Sequence, residues 1–242
     1  MTRVAIVTGA AQGIGRAIAL RLASDGIDVT VNDINSKQAE LENLVDEIKS
    51  LGRNAISILG DVSKEVEVQR LVAKTVEELG SLDIMVANAG VFTPASLLDI
   101  TDENFDWIMN VNCKGVLYCY RAAAVQMIRQ GKGGRIIGAS SVRGLQSGIF
   151  EVAYSVSKFG VRAITQTAAL EWGAHNITVN AYAPGLTDTP MVAEGVKGAN
   201  EEEKVQAILP GAAMKRMGRA EEVAAVVSFL ASEGASYVTG EK

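Results

Sequence analysis

The chain has 242 residues, of which 48% are hydrophobic, 24 are glycine and 4 are proline. This composition suits one compact α/β domain with a large apolar core. A formal net charge of -5 at pH 7 gives no electrostatic reason to expect nucleic acid or an anionic membrane as a partner. The inventory of 2 cysteines and 1 histidine provides neither a disulfide framework nor a zinc cluster, so no metal is expected.

The N-terminal residues Met1–Val4 lead directly into an apolar strand and lack the charged, apolar and small-residue sections of a secretory signal. No apolar run reaches the length that spans a membrane. The sequence therefore predicts a protein of a soluble, reducing compartment, most simply the cytoplasm.

Short apolar, β-branched runs alternate along the chain with longer amphipathic stretches. The runs predicted as strands are 4–8, 28–32, 55–59, 82–87, 135–138 and 177–181. The stretches predicted as helices are 13–25, 37–51, 64–79, 102–130, 154–174 and a last one near 219–232. Nearly continuous apolar strands, each followed by a helix, are typical of a parallel sheet covered on both faces. We therefore expect an α/β fold in which right-handed βαβ units build a doubly wound sheet.

Residues 187–216 break this rhythm with threonine, glycine and proline and with the acidic run Glu201–Glu203. A long irregular segment inside a compact domain is usually either functional or mobile. We expect this segment to be a lid over a substrate.

The first predicted strand is followed by a glycine-rich loop that opens a helix. Glycines there allow a tight turn and let a pyrophosphate approach main-chain N–H groups at the positive end of the helix. The spacing is G-x-x-x-G-x-G and not the commoner G-x-G-x-x-G, but the strand before it and the helix after it support a dinucleotide site. The residues expected to contact the cofactor are Gly9, Gln12, Gly13, Ile14 and Gly15.

Asp33 stands at the end of the second strand, about twenty residues beyond the loop, where an acid that binds the ribose is expected. A carboxylate accepts hydrogen bonds from the ribose hydroxyls of NAD and repels the 2′-phosphate of NADP. Neither Gln12 nor Ile34 supplies a guanidinium for that phosphate. We therefore expect NAD as the cofactor, although Lys37 lies close enough to permit some use of NADP. The other interpretation of Asp33 is the start of an ordinary turn.

In Tyr154-Ser-Val-Ser-Lys158 a phenol and an ammonium lie four residues apart, on one face of a predicted helix. A free tyrosine has a pKa of ~10, too high for a base at neutral pH. A cation ~5 Å away, at an effective dielectric constant of ~20, would lower that pKa by roughly two units. The pattern predicts that Tyr154 is a general acid/base. A packed tyrosine beside a solvated lysine is the alternative that the pair by itself leaves open.

Further motifs follow in an order that is typical of one family. They are Asp61-Val62 after the third strand, Asn88-Ala-Gly90 after the fourth, Asn112, Ser141 and the run Pro184-Gly185-Leu-Thr187-Asp-Thr189. With the glycine loop and the Tyr154/Lys158 pair, they make the chain resemble the short-chain dehydrogenase/reductase family over essentially its whole length. The resemblance implies a single NAD-binding, Rossmann-type catalytic domain over residues 1–242, which transfers a hydride between a nicotinamide cofactor and a carbonyl or alcohol.

The resemblance assigns catalytic roles to Asn112, Ser141, Tyr154 and Lys158. Tyr154 would give a proton to the carbonyl during reduction and take one from the alcohol during oxidation, while Ser141 would hold the reacting oxygen. Lys158 would lower the tyrosine pKa and bind the nicotinamide ribose. Asn112 would support a water relay to the lysine, or would only cap or kink its helix. Ser140 is the less favoured partner, because Ser141 matches the family's register.

The remaining cofactor contacts are also implied by the resemblance. Asp61 is expected at the adenine amino group, with the main chain of Val62 beside it, and the Asn88-Ala-Gly90 turn beside the adenosine ribose. The residues expected to border the nicotinamide are Pro184, Gly185, Thr187 and Thr189.

Within the family, the runs 153–167 and 183–191 are most similar to those of NAD-dependent acetoin/diacetyl reductases, also called 2,3-butanediol dehydrogenases. The positions expected to face the substrate are Ser141, Val142, Gly148, Tyr154 and Val192. The small or apolar ones suit a small ketone better than a sugar. The alternatives are a 3-oxoacyl-carrier-protein reductase and a polyol dehydrogenase. A noncatalytic dinucleotide sensor is a third, and the joint presence of serine, tyrosine and lysine argues against it.

Relatives continue after a pair like Thr239-Gly240 into another strand, whereas the sequence ends at Lys242. We therefore expect the sheet to lack the family's last edge strand, which leaves an open edge unless another segment covers it. We also expect a homo-oligomer, either a dimer or a tetramer, with the helices near 102–130 and 154–174 at its interface.

Overall fold

The centre of the protein, a computed structural model that describes residues 2–195 and 213–241, is a six-stranded parallel sheet. The strands are β1 (Val4–Thr8), β2 (Asp28–Asp33), β3 (Ala55–Leu59), β4 (Ile84–Ala87), β5 (Gly134–Ala139) and β6 (Ile177–Tyr182). Their order across the sheet is β3-β2-β1-β4-β5-β6, and neighbouring strands are parallel. The predicted single-domain, doubly wound α/β fold is confirmed.

Helices connect the strands and cover both faces of the sheet. They are α1 (Gly13–Ser24), α2 (Gln38–Ser50), α3 (Glu65–Leu79), α4 (Asp102–Met109), α5 (Gly115–Gln130), α6 (Val152–Trp172), α7 (Pro190–Gly195) and α8 (Ala220–Ala231). Across the described ranges, none of them is both long and apolar enough to cross a membrane.

The single helix predicted over 102–130 is divided by a π-helical turn, Asn110–Lys114, between α4 and α5. The side-chain amide of Asn112 donates to the Val91 carbonyl at 2.9 Å and accepts from the Val91 N–H at 2.8 Å. A π turn inserts one residue into a helix, often at a functional site. Here it contains the buried asparagine whose side chain is bonded to the loop after β4.

The strands carry apolar side chains on both faces, because helices cover both. All five residues of β1 are buried. Val7 packs into the cluster formed with α1, α2 and α8, whereas Ile6 packs into the opposite cluster with α3, α5 and α6. Burying one such side chain stabilises the fold by roughly 1.5–3 kcal/mol. This two-sided burial holds the carboxyl ends of the strands in fixed positions.

The site is positioned by the strand order. From β1 the chain proceeds outward to β2 and β3, then returns to place β4 on the other side of β1. Loops that leave β1 and β4 therefore diverge and open a crevice at the carboxyl ends of these strands. The glycine loop leaves β1 and the Asn88-Ala-Gly90 turn leaves β4, so both predicted motifs lie at this crevice.

The outer edge of β6 is partly covered by another segment, which is the case that the sequence-based expectation left open. The Gly240 N–H donates to the Val179 carbonyl at 2.8 Å, and the Ala181 N–H donates to the Glu241 carbonyl at 2.8 Å. Residues 239–241 thus cover part of this edge.

The predicted lid, 187–216, is described only in part, since residues 196–212 lie outside the described ranges. Its described portion contains α7, which follows the run at Pro184, and bends at residues 213–216.

Candidate active site

A cavity of about 470 Å³ occupies the crevice at the carboxyl ends of the strands. Its walls combine the glycine loop, the ends of β2, β4 and β6, and the start of α6. The predicted residues that line it are Gly9, Gln12, Gly13, Ile14, Gly15, Asp33, Asp61, Val62, Asn88, Gly90, Tyr154, Lys158, Pro184 and Thr189. Residues that were predicted from motifs far apart in the sequence therefore share one space.

The glycine loop forms one wall of this cavity. Gly13 has φ of 55°, in the left-handed region that favours glycine. A Cβ on Gly15 would lie 2.1 Å from the carbonyl oxygen of Gly9, so no larger residue fits. Gln12 precedes α1 without capping it by a side-chain hydrogen bond. The first N–H groups of α1 therefore remain without that partner and suit an anion.

Asp33 lies at the end of β2 and its carboxylate is held by the main chain. The Ala11 N–H donates to Oδ2 at 3.1 Å, and the Ile34 N–H donates to Oδ1 at 2.9 Å. Each oxygen keeps a lone pair that a ribose hydroxyl could use. Lys37 also lines the cavity, but its ammonium is paired with Glu40 at 3.0 Å. The local field at this end of the cavity is therefore not strongly positive.

Asp61 and Val62 line the cavity between β3 and α3. The Asp61 carboxylate accepts from the Ser63 N–H at 2.9 Å and from the Ser63 hydroxyl at 2.7 Å, which fixes its orientation. Val62 is buried against Gly115, where an added Cβ would lie 3.0 Å from the valine side chain. The β3 end of the cavity is thus rigid.

Tyr154 and Lys158 lie on α6, and both line the cavity. Lys158 Nζ lies 5.4 Å from the Tyr154 ring centroid and donates to the Ala139 carbonyl at 2.8 Å. Burial lowers the pKa of Lys158 to about 8. Burial also raises the pKa of Tyr154, the hydrogen bond from Ser141 lowers it, and the charge of Glu151 raises it further.

The predicted lowering of the Tyr154 pKa by Lys158 is therefore wrong. The sequence-based calculation treated both groups as solvated at an intermediate dielectric constant, whereas burial penalises the charged form of each. The phenol is protonated at neutral pH, and the lysine loses part of its own charge.

Two adjacent serines follow β5, and their contacts differ. Ser140 Oγ donates to the main-chain carbonyl of Lys158 at 3.2 Å. Ser141 Oγ accepts from the Arg143 N–H at 3.1 Å and also interacts with the phenol of Tyr154. Ser140 thus bonds the end of β5 to α6. The Ser141 hydroxyl instead contacts the phenol of Tyr154. Ser140 lines the cavity and Ser141 does not, so the preference for Ser141 stays a prediction that rests on its contact with Tyr154.

Asn112 is fully buried beside the lysine. Its amide donates to Ser157 Oγ at 3.2 Å in addition to its two bonds with Val91. A Cβ on Gly90 would lie 3.3 Å from Asn112 Oδ1 and 3.5 Å from Lys158 Nζ, so both polar groups face the same glycine. The asparagine therefore holds the loop after β4 against the lysine as well as lying in the π turn.

The run from Pro184 to Thr189 borders the cavity opposite β4. Pro184 accepts a hydrogen bond from the Val142 N–H at 3.0 Å. Thr189 packs over Gly13, where an added Cβ would lie 3.4 Å from the threonine methyl group. Gly185 is exposed and Thr187 is buried, with its hydroxyl donating to the Gly185 carbonyl at 3.2 Å. Only Pro184 and Thr189 of this predicted group line the cavity.

The substrate-facing predictions are the least well placed. Val142 is 39% exposed, and Val192 is half-buried on α7. A Cβ on Gly148 would lie 2.5 Å from a carboxylate oxygen of Glu151 and 2.7 Å from Arg143 Cζ. This glycine therefore packs directly against the Arg143 and Glu151 ion pair. None of these three positions lines the cavity among the described residues. The Arg143 and Glu151 ion pair nevertheless acts on Tyr154, since the charge of Glu151 raises the tyrosine pKa and the charge of Arg143 lowers it.

Sequence reasoning missed several residues that line the site or fix its loops. Among them are Thr8, Trp107, Tyr182 and Met191. Thr8 and Tyr182 end β1 and β6, and the rule that ligands bind at the carboxyl ends of parallel strands would have found them. Within the described ranges, no group of three or more His, Cys, Asp and Glu side chains is placed to hold a metal ion.

A family model described as enoyl-(acyl carrier protein) reductase matches residues 9–242. A short-chain dehydrogenase/reductase of Armillaria gallica is 51% identical over 99% of this chain and 92% of its own length. The chain belongs to the short-chain dehydrogenase/reductase family. A diacetyl reductase [(S)-acetoin forming] of Staphylococcus epidermidis is 42% identical and aligns over 100% of this chain and 96% of its own.

Two further relatives of this short-chain dehydrogenase/reductase bear on its activity. A 3-oxoacyl-[acyl-carrier-protein] reductase of Staphylococcus aureus is 39% identical over 100% of this chain and 95% of its own length. The crystal structure of an acetoin dehydrogenase from Salmonella typhimurium matches with a TM-score of 0.87 and 34% identity, over 100% of this chain and 94% of the other. The chain is therefore an oxidoreductase.

Family membership implies a nicotinamide dinucleotide as cofactor, and the residues present fit it. The close packing of Gly15 on Gly9 and Asn88 keeps the glycine loop tight at the start of α1, which lacks a side-chain cap. A carboxylate with free lone pairs lies one strand away, at Asp33. Tyr154 and Lys158, on α6, line the same cavity.

Proposed function

We propose that the chain is an NAD(H)-dependent oxidoreductase that interconverts a small ketone and a secondary alcohol. Diacetyl, acetoin and 2,3-butanediol are the proposed substrates. The observation that carries this proposal is a protonated phenol, Tyr154, that interacts with Ser141 and lines the same cavity as the glycine loop. A bound nicotinamide dinucleotide supplies or accepts the hydride. The protein's own residues hold the reactants and move the proton.

The proton step is assigned to Tyr154. In reduction its O–H bond breaks and the proton passes to the carbonyl oxygen, which becomes the alcohol hydroxyl as the hydride reaches the carbon. Ser141 holds that oxygen by a hydrogen bond as negative charge develops on it. In oxidation the phenolate takes the alcohol proton. Because burial raises the tyrosine pKa, reduction is favoured at neutral pH and oxidation gains at alkaline pH.

The cofactor is proposed to be NAD and not NADP. The Asp33 carboxylate, fixed by two main-chain N–H groups, presents negative charge where a 2′-phosphate would lie. Lys37, the lysine that lines this end of the cavity, is paired with Glu40, so its charge is partly neutralised. Both features support a ribose with free hydroxyls.

The choice of a small vicinal ketone is supported by two relatives. One, 42% identical, is named a diacetyl reductase, and the solved structure at TM-score 0.87 is named an acetoin dehydrogenase. The carrier-protein reductase at 39% identity is the competing relative. An acetoacetyl thioester is therefore included among the substrates to be tested.

The test is oxidation of NADH and of NADPH, side by side, with diacetyl, acetoin, a ketose and an acetoacetyl thioester. We expect fast turnover of diacetyl or acetoin with NADH, and slow turnover with NADPH. Turnover of the thioester with NADPH would assign the protein to 3-oxoacyl reduction. No rate with diacetyl or acetoin would refute the substrate assignment and leave the family unaffected.

We also propose that the protein is a homo-oligomer. Helices α5 and α6 expose large apolar side chains, among which Leu170 is 87% exposed, Val125 is 54% exposed and Phe159 is 41% exposed. Exposed apolar faces on two long helices are typical of association surfaces. Light scattering should give the mass of a dimer or tetramer, and a monomer would contradict this proposal.

A further inference from the structure

A hydrogen-bonded chain joins β6, β4 and the glycine loop behind the cavity. It begins at Asn88, which follows β4. The side-chain Nδ2 of Asn88 donates to the Thr8 carbonyl at 2.9 Å and to the Gly9 carbonyl at 3.1 Å. Carbonyl oxygens only accept hydrogen bonds, so both hydrogens of this amide are used and its orientation is determined. The Oδ1 atom must therefore face the other way.

Oδ1 of Asn88 faces the hydroxyl of Tyr182, at 2.7 Å. Because Oδ1 is only an acceptor, the phenol must be the donor. Tyr182 is the last residue of β6 and is 4% exposed, and β6 is separated from β4 by β5. This bond thus joins the end of β6 to the loop after β4, across the intervening strand β5. The two residues are 94 positions apart in the sequence.

Asn88 and Ala89 pack closely against the glycine loop. A Cβ on Gly15 would lie 2.5 Å from Asn88 Nδ2, and a Cβ on Gly9 would lie 2.7 Å from Ala89 Cα. The N–H groups of Asn88 and Ala89 both donate to the hydroxyl of Thr8, at 3.0 and 3.1 Å. A rotation of the asparagine amide would break its hydrogen bonds to the Thr8 and Gly9 carbonyls.

We propose that Tyr182 is a positioning residue for the dinucleotide, acting through Asn88. Its hydroxyl sets the orientation of the asparagine amide, which then holds the carbonyls of Thr8 and Gly9 inward. With those carbonyls held, the N–H groups at the start of α1 are left to face an anionic ligand. The inference rests on the dinucleotide part of the proposed function and is independent of the ketone.

The same geometry separates the roles of the two phenols in the cavity. Tyr182 and Tyr154 both line it, but the proton of Tyr182 is used by Asn88. Burial also raises the pKa of Tyr182, so it remains a neutral donor. Tyr182 is therefore expected to act on cofactor binding, and Tyr154 on proton transfer.

The test is Tyr182→Phe, measured first by fluorescence titration with NADH, which needs no ketone. Losing the donor leaves a buried acceptor unsatisfied, and we expect binding to weaken by about tenfold. The KM for NADH should rise by a similar factor, while kcat at saturating NADH changes less than about twofold. A purely structural role would lower the melting temperature without changing the dissociation constant.

The chain offers a matched control in Tyr120→Phe. Tyr120 is also fully buried, and its hydroxyl contacts Thr165 Oγ1 at 2.9 Å and the Asn180 carbonyl at 3.4 Å, away from the cavity lining. This variant should lose stability and keep the wild-type affinity for NADH. Asn88→Asp retains an acceptor for Tyr182 but has no donor for Thr8 and Gly9. It should weaken binding at least as much, and it carries the test if Tyr182→Phe does not fold.

A double-mutant cycle identifies the path of the effect. On an Asn88→Ala background, Tyr182→Phe should have no further effect on the affinity for NADH. Wild-type affinity in Tyr182→Phe, or an equal effect on both backgrounds, would overturn the inference. The wild type is titrated with NADH and NADPH first, and the tighter ligand is used. If neither binds, the proposed function fails and the role of Tyr182 fails with it.

Discussion

Replacing Tyr154 with phenylalanine removes one hydroxyl group and keeps the ring. That ring packs edge-on against Phe92, with centroids 5.3 Å apart and planes at 77°. The Lys158 ammonium lies 5.4 Å from its centroid. Phenylalanine keeps both contacts, so the free energy of unfolding and the dissociation constant for NADH should change little.

The effect on turnover is the loss of the proton donor. A positioned general acid contributes typically ~10²–10⁴-fold, which corresponds to about 3–5 kcal/mol of activation free energy. We expect kcat for ketone reduction to fall by this factor. Water or a neighbouring hydroxyl could supply the proton only more slowly, because neither has the fixed orientation that α6 gives the phenol.

The assay combines steady-state reduction of diacetyl, fluorescence titration with NADH and thermal melting. Tyr237→Phe is the control, since Tyr237 is 101% exposed and should change none of the three. If Tyr154→Phe retained more than a tenth of the wild-type kcat, the assignment of Tyr154 as the acid would be refuted. A tenfold loss of NADH affinity would show that the hydroxyl serves binding and not proton transfer.

Three further substitutions test other parts of the site. Gly15→Ala should abolish measurable NADH binding, because its Cβ would lie 2.1 Å from the Gly9 carbonyl oxygen; near-normal affinity would contradict the described loop. The charge of Glu151 raises the Tyr154 pKa, so Glu151→Gln should move the alkaline limb of alcohol oxidation to lower pH, and a shift to higher pH would oppose this reasoning. Burial lowers the pKa of Lys158 from 10.5 to about 8, so the unfolded chain binds more protons between these values and stability rises with pH there. Urea unfolding of Lys158→Met should show a smaller rise across this window, and turnover should be lost.

The strands were predictable because their signals are local. Central parallel strands are continuous apolar runs, and the sequence predicts all six within two residues of their observed ends. The glycine loop was predictable for the same reason, since its turn and its close approaches depend on residues a few positions apart. The division of the long helix at Asn112 was not, because its cause is a hydrogen bond to Val91 in another loop.

The electrostatics of the acid/base pair could not be obtained from spacing. Spacing places Tyr154 and Lys158 on one helix face, but burial decides the sign of each pKa shift. The residues predicted to face the substrate show the same limit. Gly148 is a small residue in the sequence, and only the structure places it against the Arg143 and Glu151 ion pair.

By itself, the sequence determined the order of strands and helices and the glycine loop, and it predicts Tyr154 and Lys158 as the acid/base pair. Each follows from residue types at short separations, where the backbone geometry is nearly fixed. Only the tertiary structure decided that Tyr182 reaches Asn88 across β5, a contact 94 positions apart in the sequence. Such contacts depend on how strands are ordered in the sheet and on which groups lose water, and neither is written in a local pattern.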